Sequence, residues 1–253
     1  MAEPVLLSFE KHGKLRLSDS SDFTQFKSQH LVPVVLQELY ALATEFPIVF
    51  VRNGETGDFV PVAMMGLSKG KNLYCQKPSW PAAFTPTAFT LAPLSVKELG
   101  AGEDDFVMAI DEESPLLSDS VGAPLFEANG DLTEYLQTRI KHVVTVTRQS
   151  LQAAALCQFM VDKNLFHTRL LTLQRSENSP RYEVEGVYSI DEDVLEKLSD
   201  ADYMELRGRG LISIIYSHLT SLHQFERLLR LQNQADKEQA DSMSWPDQEQ
   251  GQS

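Results

Sequence analysis

Six histidines, His12, His30, His142, His167, His218 and His223, are the side chains suited to acid–base or metal chemistry near neutral pH. His218 and His223 are the closest pair. Their spacing on a helix turns them about 140° apart, whereas a helical zinc pair needs i, i+4 spacing. His218 falls with the apolar stripe of its segment and is expected as a hydrogen-bonded core histidine. Two carboxylate groups, Asp111, Glu112 and Glu113 with Asp119, and Asp191-Glu192-Asp193, hold the parts of an acid–base pair or a cation site. Neither has the alternating oxygen ligands and sharp glycine turn of a calcium loop. The second fits a helix start, where carboxylates meet the positive end of the dipole. Ser118-Asp119-Ser120 and Thr220-Ser221 lack a Gly-x-Ser-x-Gly setting. No Gly-x-Gly-x-x-Gly or P-loop is present. Arg207-Gly208-Arg209-Gly210 offers either a grip for a carboxylate or phosphate or a helix-ending glycine between exposed arginines. No catalytic residue, metal or cofactor follows from these residues.

The strongest site candidate is apolar. Met64, Met65, Tyr74, Trp80, Phe84 and Phe89 lie close in sequence. They suit a pocket for a flat or aliphatic ligand, or a groove for a peptide, with Arg52, Asn53 and Trp80 as polar handles. The competing expectation is that the same residues are core.

The elements that must position them begin with Phe46 to Tyr74, which reads as a β-meander. Ile48-Val49-Phe50-Val51 is a buried-strand pattern, and Asn53-Gly54 is a hairpin signal. Phe59 to Met65 is the second strand, in which Pro61 argues for an edge or a bulge. Asn72-Leu73-Tyr74 begins a third. Before them, Leu31 to Phe46 reads as a helix with Val35, Leu39, Leu42 and Phe46 on one stripe and Pro33 in its first turn. Residues 76 to 95 form an irregular, packed connection. Phe106 to Ile110 is a strand entered from the acidic turn at residues 102–105. Asp131 is expected to cap a long helix to about Lys163, with Glu134 completing a capping box; the β-branched run Val143 to Thr147 could divide it. Leu170–Leu173 and Tyr182–Tyr188 read as a hairpin. Short helices follow Asp191 and Asp200, and an amphipathic helix runs from Leu211 to about Gln232. The fold class is α+β, antiparallel strands packed on long helices in one compact domain. Its two strand-rich segments are candidates for two halves.

The formal charge of −14 over 253 residues argues against a nucleic-acid partner and against docking on anionic lipid through a basic face. No apolar run approaches the ~20 residues needed to span a bilayer. The N-terminus lacks the pattern of a signal peptide. Cys75 and Cys157 read as buried free thiols, so the expected compartment is the cytoplasm. Residues 232–253 are polar and Gln-rich and read as a disordered tail after a domain spanning residues 1–231. Trp245 in that tail is either a docking anchor or a merely exposed residue.

Phe46-Pro47-Ile48-Val49-Phe50, Phe59-Val60-Pro61-Val62 into Gly66-Leu67, Asn72-Leu73 and Trp80 together resemble the SapC family, named for a gene of bacterial surface-layer clusters. Pro124-Leu125-Phe126 with Asn129-Gly130, Glu185-Gly186-Val187-Tyr188-Ser189-Ile190-Asp191, Leu198-Ser199-Asp200, Gly210-Leu211 and His218-Leu219-Thr220-Ser221-Leu222 continue the resemblance, over roughly residues 5 to 232. It implies a bacterial protein without an established biochemical activity. It also implies a link to envelope biogenesis, and gene neighbourhoods with halogenase-like, cupin-like and outer-membrane receptor proteins. A protein partner or a small-molecule ligand is therefore expected. Relatives often carry an Arg-Arg-Tyr-Pro-Phe stretch after the tryptophan. Here Phe84 to Leu91 keeps aromatic residues and lacks the arginines, which removes that basis for anion binding.

Overall fold

Ile48 to Arg52 and Phe59 to Met64 alternate across two faces, and their β-branched and aromatic side chains favour extended backbone. They pair antiparallel, from Ile48 opposite Ala63 to Arg52 opposite Phe59. In the computed structural model, which describes residues 3–54, 56–98, 106–168, 171–174 and 180–243, this pair lies inside a five-stranded antiparallel sheet. The strand order is Phe166–Thr168, Val187–Ile190, Ile48–Arg52, Phe59–Met64, Leu31–Pro33. Helices and antiparallel strands make the fold α+β, as expected.

Three expectations for this region are corrected. Leu31–Pro33 is an edge strand, and only Leu39–Leu42 is α-helical. Val35, Leu39, Leu42 and Phe46 are nevertheless all buried, so the stripe marked burial and not a long helix. Pro33 costs nothing at an edge, because its missing donor has no ladder bond to make. Pro61 lies in a strand with neighbours on both sides. It opposes Phe50, and its carbonyl accepts Val34 N–H at 3.0 Å, just past the end of the short edge strand. There the missing donor forfeits one terminal bond. Asn72-Leu73-Tyr74 forms no strand. Leu73 N–H donates to Met65 O at 2.8 Å, and the segment turns away as a loop. In the hairpin the left-handed residue is Gly57, at φ 79°, and not Gly54.

Val187–Ile190 pairs with both Phe166–Thr168 and Ile48–Arg52. The two strand-rich segments therefore share one sheet. Leu171–Leu173 and Tyr182–Val184 form the expected hairpin as a two-stranded ribbon; residues 175–179 of its turn lie outside the described residues. Two small sheets stand apart from the main one: Val5–Leu6, Phe106–Ile110 and Leu94–Glu98, and Leu117–Ser118, Arg16–Leu17 and Ala123–Pro124. The acidic turn expected at residues 102–105 also lies outside the described residues.

The helix Glu134–Asp162 is continuous over 29 residues. Its β-branched run does not divide it: packing of both halves into the cores outweighs the local propensity, while Thr145 and Thr147 return their hydroxyls to the carbonyls of Lys141 and Val143 at 2.7 and 2.9 Å. Leu136 and Val143 pack into a small core with Leu17, Leu94, Ile110, Leu125 and Phe126. Ala153, Cys157 and Met160 join the large core around the main sheet. The cap is Thr133, not Asp131: Thr133 Oγ1 accepts Leu136 N–H at 3.2 Å. Replacing Thr133 by alanine is expected to cost about 1 kcal/mol, read as a fall in Tm of roughly 2–4 °C.

The C-terminal segment is two helices joined by a 3-10 turn: Leu211–Ser221, Leu222–Gln224, then Phe225–Met243. Gln232 to Met243, expected in a disordered tail, are helical. Gln232 is buried, and Asp236 holds Tyr182 and Lys71, anchoring that polar stretch to the ribbon and the loop. Trp245 and the rest of residues 244–253 lie outside the described residues.

Candidate functional site

The expected apolar site divides in the structure. Met64, Met65, Tyr74 and Phe89 are at most 3% exposed and belong to the large core. Trp80 is half-buried in an aromatic cluster, with ring centroids 5.4 Å from Phe23, 5.7 Å from Phe89 and 6.1 Å from Tyr74. Its Nε1–H donates to Phe84 O at 3.1 Å, and the Phe84 ring is exposed. Arg52 and Asn53 are exposed at the hairpin: Arg52 Nε donates to Gly57 O at 2.9 Å, and Asn53 N–H to Asp58 O at 2.7 Å. The Arg52 side chain and the Asn53 backbone brace the turn.

An open groove borders this cluster, between the loop 73–81 and the helix Phe225–Met243. The helix buries Phe225, Leu228 and Leu229, and turns Arg227, Leu231, Gln234 and Glu238 toward the groove at i, i+4, i+7 and i+11. One cleft of about 530 Å³ is lined by Thr44, Gln224, Arg227, Arg230, Leu231 and Gln234. A second of about 190 Å³ lies between Leu231, Gln234 and Ala235 on the helix and Tyr74, Lys77 and Pro81 on the loop. They meet at Leu231 and Gln234. Arg227 is tied to Glu45. Burial pushes the Tyr74 hydroxyl up to about 12, so it stays protonated at neutral pH. The loop wall is set by Asn72, which is fully buried: its N–H donates to Lys27 O at 2.8 Å and its Oδ1 accepts Tyr74 N–H at 2.9 Å. Gly66 supports the wall from below, because a Cβ there would stand 1.8 Å from Lys71 O. Sequence reasoning named Tyr74, which lines the second cleft, and Trp80, which lies in the aromatic cluster beside it. It missed the far wall, which is contributed by a helix some 150 residues later in the chain; the stripe Arg227, Leu231, Gln234 and Glu238 was the available signal.

His218 is a core histidine, as expected, and its role is structural. The register Tyr188 opposite Phe50 continues to Ile190 opposite Ile48, but there the imidazole lies between the strands. Its Nε2 accepts Ile190 N–H at 3.1 Å, and its Nδ1 lies 2.8 Å from Ile48 O. An accepting Nε2 puts the proton on Nδ1, which donates to Ile48 O, so the ring is neutral. Ser221 Oγ accepts Ile48 N–H at 2.9 Å and donates to the His218 carbonyl at 2.6 Å. One helix thus satisfies both backbone groups of Ile48. Burial pushes the His218 pKa down to about 4.

The remaining candidates are mostly engaged in structure. His12 is buried, accepting Ser8 N–H at Nδ1 and meeting Glu112 at 3.0 Å. Asp191 caps a short helix through Val194 N–H at 3.2 Å. Arg209 pairs with Glu205 at 3.1 Å and lies 4.1 Å over the Phe159 ring, beside the left-handed Gly210. Cys75 and Cys157 are buried, with thiols pushed up to about 12 by burial. Among the described residues, no group of three or more His, Cys, Asp or Glu side chains is placed to hold a metal ion, and no helix is long and apolar enough to cross a membrane. One constellation was not visible beforehand. His167 stands opposite Ser189 on adjacent strands, with Ser189 Oγ 3.2 Å from Nε2 and Asp191 Oδ2 3.6 Å from Nδ1. That is the order of groups in a serine nucleophile triad.

No curated protein and no solved structure matches the chain. The model of the SapC family matches residues 7–228. That span takes in the sheet, both cores and the start of the last helix, and on it the chain belongs to the SapC family.

Proposed function

We propose that the protein is a non-enzymatic binding or accessory protein that holds a partner in the groove beside the helix Phe225–Met243. It would act in a bacterial cytoplasm, with any envelope role exercised through that partner. The observation that carries this reading is the groove itself. It is open, long and lined by amides, cations and apolar side chains, which suits contact better than bond-breaking. Most of the histidines and arginines outside it brace strands, turns and helix ends. Native mass spectrometry of the full chain, purified gently from the cells that make it, tests the reading. A second protein at fixed stoichiometry, released by Gln234→Trp in the groove floor, is the expected result. Release of a small molecule that the protein chemically converts would overturn it.

The second reading, an enzyme with a hidden site acting on a small aromatic or peptide substrate, is favoured by Ser189, His167 and Asp191. It requires Ser189 to react with a fluorophosphonate probe, and His167→Ala to abolish the reaction. On the binding reading, labelling of the half-buried Ser189 does not exceed that of the exposed serines, and Ser189→Ala changes nothing measurable.

A further inference from the structure

We infer that the groove receives an extended acidic segment of a partner protein, an inference that rests on the binding reading above. The chain carries a formal charge of −14, yet the groove is bordered by cations whose charge is not spent internally. Among the described residues, Arg230 donates only from Nε, to the carbonyl of Glu226 on its own helix at 3.3 Å. Lys77 is exposed on the opposite wall and makes no ion pair among the described residues. Arg227 is already neutralised by Glu45; Glu238, at the far end of the groove, accepts only from the neutral amide of Gln234 at 3.1 Å, which leaves its carboxylate uncompensated among the described residues. Arg230 in the first cleft and Lys77 in the second outnumber that carboxylate, leaving a local positive excess on an acidic surface.

The floor between them selects for more than charge. Leu231, Tyr74, Pro81 and Ala235 present apolar atoms, while Gln224 and Gln76 offer amides that can bond to a peptide backbone. From Arg227 to Glu238 the helix advances about 16 Å at 1.5 Å per residue, the span of roughly five extended residues. The clefts are open along this length, so they fit a chain passing through better than an enclosed small molecule. A nucleic acid would bring a row of phosphates to two free cations and would be repelled by the rest of the surface. A basic peptide would be attracted to the whole acidic surface and would have no reason to choose this groove. An acidic peptide with an aliphatic or aromatic side chain between its carboxylates matches the floor and the cations of both clefts.

The test exposes the full-length protein to a displayed library of random decapeptides, then measures selected sequences by fluorescence anisotropy. Enrichment of Asp and Glu around a Leu or aromatic residue is expected. The double variant Arg230→Glu with Lys77→Glu is expected to weaken binding more than tenfold, and Gln234→Trp to abolish it. All three positions are exposed, and unchanged circular dichroism confirms the fold. Peptides without acidic enrichment that Gln234→Trp still blocks would overturn the acidic class and leave groove binding standing. Binders indifferent to Gln234→Trp, or no binders at all, would overturn both.

Discussion

Replacing His218 by alanine is expected to lower the unfolding free energy by about 3–5 kcal/mol. The substitution strands Ile190 N–H and Ile48 C=O in the core, where each unsatisfied group costs about 1–3 kcal/mol, and it leaves a cavity beside Phe50, whose ring centroid is 5.0 Å from the imidazole. His218→Gln retains one donor and one acceptor and should lose less. Urea unfolding at neutral pH measures both. The same residue imposes a pH dependence whose sign is fixed by its neutrality. In the unfolded chain the imidazole takes a proton near pH 6.5; in the folded chain it does so only at about pH 4. Between these values the unfolded state binds more protons, so stability falls as the pH falls. The contribution is intact above about 6.5, shrinks by about 3 kcal/mol on the way to pH 4, and changes no further below that. Burial also lowers His30 and His142, in the same direction. The difference between wild type and His218→Gln isolates His218: the wild-type profile should be steeper from 6.5 to 4. Parallel profiles would mean that the folded protein protonates the ring as readily as the unfolded chain does.

Gly66→Ala carries the second large effect. The added carbon would stand 1.8 Å from the Lys71 carbonyl oxygen and 3.3 Å from His30 Cβ, and the first contact is with backbone, which cannot rotate away. The loop after the central strands must move, at a cost of about 3 kcal/mol, the upper end for overpacking a well-filled site. Because that loop continues into Tyr74 and Lys77, groove binding should fall with stability. Restoring stability with a neutral osmolyte should not restore binding. A variant with wild-type Tm, or one that binds normally, would show that the turn relaxes without disturbing the wall.

Local signals in the chain were legible where burial and strand pattern agreed. Ile48 to Phe50, the hairpin after it, the Asp191 helix start and the long helix up to Asp162 all follow from nearby residues. Family-level matches pointed to the same segments. What escaped was set by distant partners. Leu31–Pro33 has a helical stripe behind it, yet it becomes a strand because Met64, Ala63 and Val62 offer a free edge. Pro61 looked like an edge residue because the sequence does not say where its neighbouring strand stops. The apolar candidates lie close in sequence, but Met64, Met65, Tyr74 and Phe89 went into the core. The accessible surface was completed by Leu231 and Gln234 from the last helix. Ser189, His167 and Asp191 come together only through strand register, which no local motif encodes.

The long helix Glu134–Asp162 enters both cores, its first half in the small one and its second half in the large. At about 43 Å it is a shared beam, and the two ends need not open together. Amide exchange should divide along it. Amides around Leu136 and Val143 would be released in sub-global openings that melt the small sheets of the N-terminal region. Those around Ala153, Cys157 and Met160 would exchange only when the whole protein unfolds. The protein would then visit states in which one half of the beam is frayed while the groove, on the large core, stays assembled.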